Sequence, residues 1–379
     1  MTQNAPATHE LDELSVSPFE LFFDLVFVFA VTQVAVLLHS DQTWAGAARA
    51  LLILAMLWWL WGQYTWVLNG VGTESRLVRL ALLAAMGGSL FAGISVPAAF
   101  GEDGQAFAIA YVVVLVLAMV VYWVGVRDDP SWRRSLMTYL PLAALGAVVF
   151  LAGGFVDPPL RTWLWVGGMA IELAAAVSAG RGDFRLRAGH FAERYGLFVI
   201  IALGESIVAV GLTAADGERT SALAVALVAA FVGAAVLAWI YFDRLAEVAE
   251  HRLRATPEPG RSSLARDAYS FLHFPLVAGI VLTAVAAEEI VAHPGDPLEG
   301  FGRAMLAGGV VLFSGAVVAI VRMVTDSWPR LFAVAGVVAA AIVLAVGSVL
   351  AGAATALVAS GVLAFGYATE LRRGPSLEA

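Results

Sequence analysis

The sequence predicts an all-α fold, a polytopic transmembrane helical bundle of about 12 spans. Three observations carry that prediction. The chain has 379 residues, 60% hydrophobic and 14% charged, where soluble domains carry about 25% charged residues. Its mean hydropathy is +0.84. Apolar stretches of about 20 residues recur along it, separated by clusters of Arg, Pro and Gly.

The elements follow in order. The first span, 19–39, comes after Ser17-Pro18 and holds two carboxylates, Glu20 and Asp24. Spans at 44–68 and 77–100 are separated by Asn69-Gly70 and Arg76, and 105–126 ends at Arg127. The fifth and sixth, 135–155 and 161–180, are divided by Pro158-Pro159. The seventh and eighth, 195–213 and 221–242, are divided by Gly217 and Arg219. Spans at 268–291 and 303–321 flank Pro294 and Gly295, and the last pair, 329–348 and 350–370, has only Gly347, Ser348 and Gly352 to mark a turn.

Arginine placement orients these spans. With a cytoplasmic N-terminus, the loops after even-numbered spans and the C-terminal tail should hold the positive charge. They hold 18 of the 22 basic residues, including Arg127, Arg181, Arg185 and Arg373, while Arg49, Arg161, Arg219 and Arg303 fall on the other side. Both termini are therefore expected inside, in a multi-pass protein of the bacterial cytoplasmic (inner) membrane. Residues 1–18 are acidic and lack Lys and Arg, so the first helix is expected to act as its own targeting signal.

A repeat divides the chain. The segment from Glu20 aligns without gaps on the segment from Glu193, each at the head of six spans. The expected organisation is a tail at 1–18, a first half at 19–180, a linker at 181–194, a second half at 195–371 and a tail at 372–379. Two six-helix halves of the same orientation are related by an axis along the membrane normal.

Absences narrow the chemistry. Without cysteine there are no thiol nucleophiles, disulfides or iron–sulfur ligands. Without lysine there is no Schiff base and no phosphate-loop lysine. A net charge of −8 without a basic patch argues against nucleic acid. No cofactor and no metal are expected; the expected partners are membrane lipids and protons or monovalent cations, with a homo-oligomer left open.

The polar residues inside spans are the candidate sites, because a charge near the bilayer centre costs roughly 2.5–3.5 kcal/mol on insertion scales. Glu20, Asp24, Val28, Val31, Ala35 and His39 form one stripe of the first helix. Asp24 either lines an internal hydrated space or binds an Arg of a neighbouring loop; Glu20 is expected to be structural. Glu205 lies in mid-span between Gly204 and Ser206, small residues expected to admit another helix, and reads as a protonatable site without a local partner. His273 precedes Pro275, where proline frees a carbonyl, so it either relays protons or satisfies backbone. Glu172 is buried by depth, as a functional or a packing group. His190 and Glu193 have metal-ligand spacing but are too few to hold an ion; with Arg194 and Asp243 they form a polar cluster at the cytoplasmic side. Glu288 and Glu289 end the ninth span, where acidic residues are cheap. Trp58, Trp59, Trp61, Tyr64 and Trp66 crowd the second span, as an interfacial belt with one or two lining a cavity.

Four segments carry a family resemblance: Ser17-Pro-Phe-Glu-Leu-Phe-Phe-Asp24 and the run to Gln33, His190-Phe-Ala-Glu-Arg194 and the run to Ile207, Tyr241-Phe-Asp-Arg244, and Arg266 through Ile280. In them the chain resembles the low temperature requirement A (LtrA) family of bacterial membrane proteins, whose name records a growth phenotype and not a mechanism. Phe22 to Thr32 is also similar to the first helix of bacterial and lysosomal potassium channels with a Phe-Ser-Asp motif, built from six-helix repeats. Phe23 stands here in place of that Ser, and Leu197 at the matching position of the second repeat.

The leading expectation is an ion or proton channel, or an ion-coupled transporter, with buried carboxylates lining a path between the two repeats. The alternatives are an intramembrane enzyme acting on a lipid-like substrate through His190, Glu193, Asp24 and His273, and a membrane stress or cold-adaptation protein without transport.

Overall fold

A computed structural model of the chain describes residues 16–126, 130–179, 186–258 and 260–372. Arg127, Arg181, Arg185 and Arg373 lie outside the described residues, as do parts of both tails and of the 181–194 linker.

The described residues are helical, apart from turns and one isolated antiparallel bridge between Pro297 and Ala351. The first six long helices are α1 (Pro18–Ser40), α2 (Trp44–Val71), α3 (Arg76–Ser95), α4 (Gly104–Val126), α5 (Pro130–Gly154) and α6 (Leu160–Ala179). Then come α7 (Ala188–Ala215) and α8 (Ser221–Ile240), which runs through a π-turn at Tyr241–Leu245 into the short α9 (Ala246–Ala255). The short α10 (Gly260–Leu264) leads through a second π-turn, Ala265–Phe271, into α11 (His273–Ala292). The chain closes with α12 (Gly300–Thr325), α13 (Arg330–Val346) and α14 (Gly352–Leu371).

These helices fall where the apolar stretches predicted spans. Among the described residues, 11 are long and apolar enough to cross a membrane, and Arg330–Val346 is a shorter apolar helix. A turn at 347–351 separates α13 from α14, so the last pair is two helices. The largest departure is α7, which begins at Ala188 and takes in His190, Glu193 and Arg194. Polar side chains there are paired inside the fold instead of solvated in a loop.

Local chemistry explains the start of α1. Ser17 and Glu20 form a capping box, with the Ser17 N–H donating to the Glu20 carboxylate at 2.9 Å and the Glu20 N–H to the Ser17 hydroxyl at 3.4 Å. Pro18 takes the first helical position, where its missing N–H costs nothing.

The chain divides into two compact units. Unit 1 comprises residues up to Ala30, Ala55–Leu197 and Leu253–Asp267. Within it α3, α4, α5 and α6 pack as successive neighbours, with the buried aromatics Phe107, Tyr111, Phe150 and Trp165 in contact across α4, α5 and α6. Unit 2 comprises Val31–Leu54, Phe198–Arg252 and the chain from Ala268 onward. There α11, α12, α13 and α14 are successive neighbours, and α8 packs on both α11 and α14. Helix α11 is apolar and buried on nearly every face, as a central helix must be. Large apolar side chains point outward, among them Phe91, Trp163, Val337 and Phe365, a surface suited to hydrocarbon and costly in water.

Candidate functional site

Unit 1 holds a fully buried polar network built from three helices, with i, i+4 pairs on α1 and α7 and two residues eight apart on α2. Glu20 and Asp24 come from α1, Trp61 and Asn69 from α2, and His190 and Arg194 from α7. Arg194 donates to Asp24 Oδ1 at 2.5 Å and lies 3.5 Å from Glu20 Oε1. The Trp61 indole N–H donates to the same Asp24 oxygen at 2.7 Å, and its ring lies under the Arg194 guanidinium at 5.7 Å. His190 Nε2 is 3.2 Å from Glu20 Oε1. Asp24 Oδ2 has no hydrogen-bond partner among the described residues.

Asn69 fixes the protonation of this network. The Arg187 N–H donates to Asn69 Oδ1 at 2.9 Å, and Asn69 Nδ2 donates to the Arg187 carbonyl at 3.0 Å. The amide therefore has one orientation, with its other N–H toward His190 Nδ1 at 3.2 Å. A ring nitrogen facing a donor must be the acceptor, so His190 is neutral and its proton sits on Nε2, facing Glu20.

Two further candidates of unit 1 lie apart from this network. Glu172 Oε2 accepts from the Trp59 indole at 3.1 Å and from the Tyr139 hydroxyl at 3.0 Å, and Oε1 lacks a partner among the described residues. Glu193 Oε2 accepts from the Val16 N–H at 3.2 Å, a structural tie at the head of α1.

In unit 2, Glu205 is 7% exposed, and the Thr32 side chain hydrogen-bonds its carboxyl. Its other oxygen, Oε1, has no partner among the described residues. The expected close approach at Gly204 is not found: a Cβ there would have nothing within 4 Å, and the Ser206 hydroxyl donates to the Ala202 carbonyl of its own helix at 3.0 Å. His273 is buried, donating from Nδ1 to the Ala268 carbonyl at 2.8 Å and accepting at Nε2 from the Tyr241 hydroxyl at 3.1 Å. The carbonyl it satisfies belongs to the π-turn before it, not to the residue four before Pro275. Asp243 accepts from the Tyr367 hydroxyl at 2.9 Å within unit 2.

Sequence reasoning passed over the groups that complete these sites. Trp59 and Trp61 read as members of an aromatic run, belt or cavity lining, whose indole N–H groups had no assigned partner; they hold Glu172 and Asp24. Asn69 and Arg187 carried no motif. Of the two readings of Asp24, an Arg partner is what the structure shows, although Arg194 reaches it from within α7 and not from a loop.

The family model described as bacterial low temperature requirement A protein (LtrA) matches residues 15–367. The chain belongs to the LtrA family. An uncharacterized protein of Rhizobium meliloti (strain 1021) is 32% identical over 318 residues, which is 80% of this chain and 76% of that protein. No solved structure matches. The LtrA match spans α1 through most of α14, so the buried network and the Glu205 region both lie inside the family's domain. With its apolar helices, the chain is a multi-pass membrane protein of LtrA type.

Proposed function

We propose that this LtrA protein moves protons or monovalent cations across the bacterial inner membrane, as a channel or an ion-coupled transporter, with its N-terminus inside. The observation that supports this most is the charge balance of the buried network. With His190 held neutral, the carboxylates of Glu20 and Asp24 face the single cation of Arg194. One negative charge is left over in a water-poor site, where an unbalanced ion costs several kcal/mol. Either a proton or a small cation settles it, and a group alternating between the two is what coupled transport requires.

Two features favour the internal repeat. Glu20 aligns with Glu193 and Thr32 with Glu205, and Thr32 and Glu205 hydrogen-bond each other, as equivalent positions do close to a two-fold axis. The neighbour order α3, α4, α5, α6 also matches α11, α12, α13, α14.

The test is flux. Purified protein in liposomes, with proton and potassium movement recorded for wild type, Asp24→Asn and Glu205→Gln, should show flux that the substitutions abolish or shift in pH dependence. Equal flux in all three, or none from protein shown to be folded, overturns the reading.

A second reading has its own observation. Helices α7, α8, α11, α12 and α14 of unit 2 enclose a cavity of about 310 Å³ whose walls include Leu203, Val210, Leu237, Leu306 and Leu363. Its size is that of a small ligand pocket, and its lining suits an acyl chain. A lipid retained in native mass spectrometry by wild type and lost in Leu306→Trp would support a lipid-like ligand.

A further inference from the structure

Beside Glu205, helices α1, α7 and α11 of unit 2 enclose a cavity of about 10 Å³, room for one water molecule. Small residues such as Ala35, Ala202 and Ala284 form most of its wall; Ser206, Glu205 and Glu288 are the polar part. Glu205 offers Oε1 and Glu288 offers Oε1, both buried and both without a hydrogen-bond partner among the described residues. Glu288 Oε2 is 3.2 Å from His39 Nε2 in the last turn of α1, where the His39 side chain is 34% exposed and that of Glu288 16%.

Two carboxyl groups on one small, buried space cannot both carry charge cheaply, and neither supplies a donor unless one is protonated. The Ser206 hydroxyl is committed to its own helix, and the hydrogen bond with Thr32 engages the carboxyl without adding charge. The other titratable groups around the pair are Glu289, which accepts from the Glu299 N–H at 3.1 Å, with Glu299 and His293. His39 is thus the one cation-forming group in contact with the pair among the described residues, and it is the most exposed of the three.

We propose that Glu205 and Glu288 form a proton-binding pair that shares one proton across this cavity, and that His39 exchanges it with the exterior. To load the site a doubly protonated His39 gives its Nε2 proton to Glu288 and Glu288 passes a proton through a water in the cavity to Glu205 Oε1; the same steps in reverse return that proton to His39 and the exterior. Only O–H and N–H bonds form and break, and no redox partner is involved. The proposal rests on the proton reading above and names the site in unit 2 where a proton is held.

Infrared titration of the purified protein tests it without any flux measurement. The difference between wild type and Glu205→Gln, and between wild type and Glu288→Gln, should each contain one protonated-carboxyl band that disappears as pH rises. Glu205→Asp should keep a band at a shifted pH, separating loss of the site from loss of fold. His39→Gln should keep the band but slow its hydrogen–deuterium exchange by about tenfold or more. A band unchanged in both Gln variants overturns the proposal. So does a band that responds to sodium or potassium at constant pH. Flux that fails in liposomes while this band behaves as described removes the transport reading and leaves the proton site standing.

Discussion

The side-chain amide of Asn69 lies 3.2 Å from Nδ1 of His190, and both its other hydrogen bonds go to the backbone of Arg187. One residue thereby ties α2 to the start of α7 and dictates which nitrogen of His190 carries the proton. Asn69→Leu should leave the part-buried Arg187 N–H without its acceptor, at about 1–3 kcal/mol, while the Arg187 carbonyl still accepts from the Phe191 N–H at 3.0 Å. Thermal unfolding should fall accordingly. Asn69→Asp puts an oxygen where His190 needs a donor, so the ring should take up a second proton. Histidine NMR would show His190 doubly protonated in that variant and singly protonated in wild type. The same state in both would refute the assignment.

Removing the two sides of the Asp24 and Arg194 pair should not cost the same. Arg194→Met leaves two buried carboxylates without a cation, and breaking a buried pair from one side costs about 3–5 kcal/mol. Asp24→Asn leaves Glu20 balanced by Arg194 and keeps an acceptor for the Trp61 indole, so its cost should be smaller by about 2 kcal/mol or more. Stability of both variants and of the double mutant in one detergent checks the order. Equal losses would mean that the network carries no excess negative charge.

The helices were legible because lipid-spanning segments must be about 20 apolar residues long, and Arg, Pro and Gly punctuate them plainly here. The stripe of Glu20 and Asp24 on α1 was legible for the same reason, as charge where hydrocarbon belongs. Their partners were not. Arg194 is 170 residues from Asp24, and spacing along a helix says nothing about which other helix it meets. The head of α7 looked like a loop because polarity marks solvent only when the polar groups are unpaired. Trp61 stood in a crowded run of aromatics, and nothing in the spacing of that run says which indole N–H meets Asp24.

The orientation derived from arginine placement can be read directly, because the chain has no cysteine and any introduced thiol is the only one. Ser75 and Glu218 are exposed in the turns after α2 and α7. With the N-terminus inside, a membrane-impermeant maleimide added to intact cells should label Glu218→Cys and spare Ser75→Cys until the cells are opened. The reverse pattern would invert the topology, and labelling of both or neither would contradict the span count between them.

Glycines in unit 2 should separate sharply by what faces them. Where α11 crosses α12, a Cβ on Gly279 would lie 2.6 Å from the Phe313 nitrogen and 2.7 Å from the Gly309 carbonyl oxygen, and one on Gly309 would lie 2.8 Å from the Gly279 oxygen. These contacts are backbone on backbone, which no rotamer change relieves, and small residues at such a crossing let helices approach closely. Gly279→Ala should therefore cost about 1–3 kcal/mol through overpacking. Gly204→Ala has nothing within 4 Å of the added carbon, and alanine is the better helix former by about 1 kcal/mol. It should be neutral or slightly stabilising, although it neighbours Glu205. Thermal unfolding of the two variants side by side decides the matter: a Gly204→Ala loss as large as that at Gly279 would show that something packs against α7 at that point.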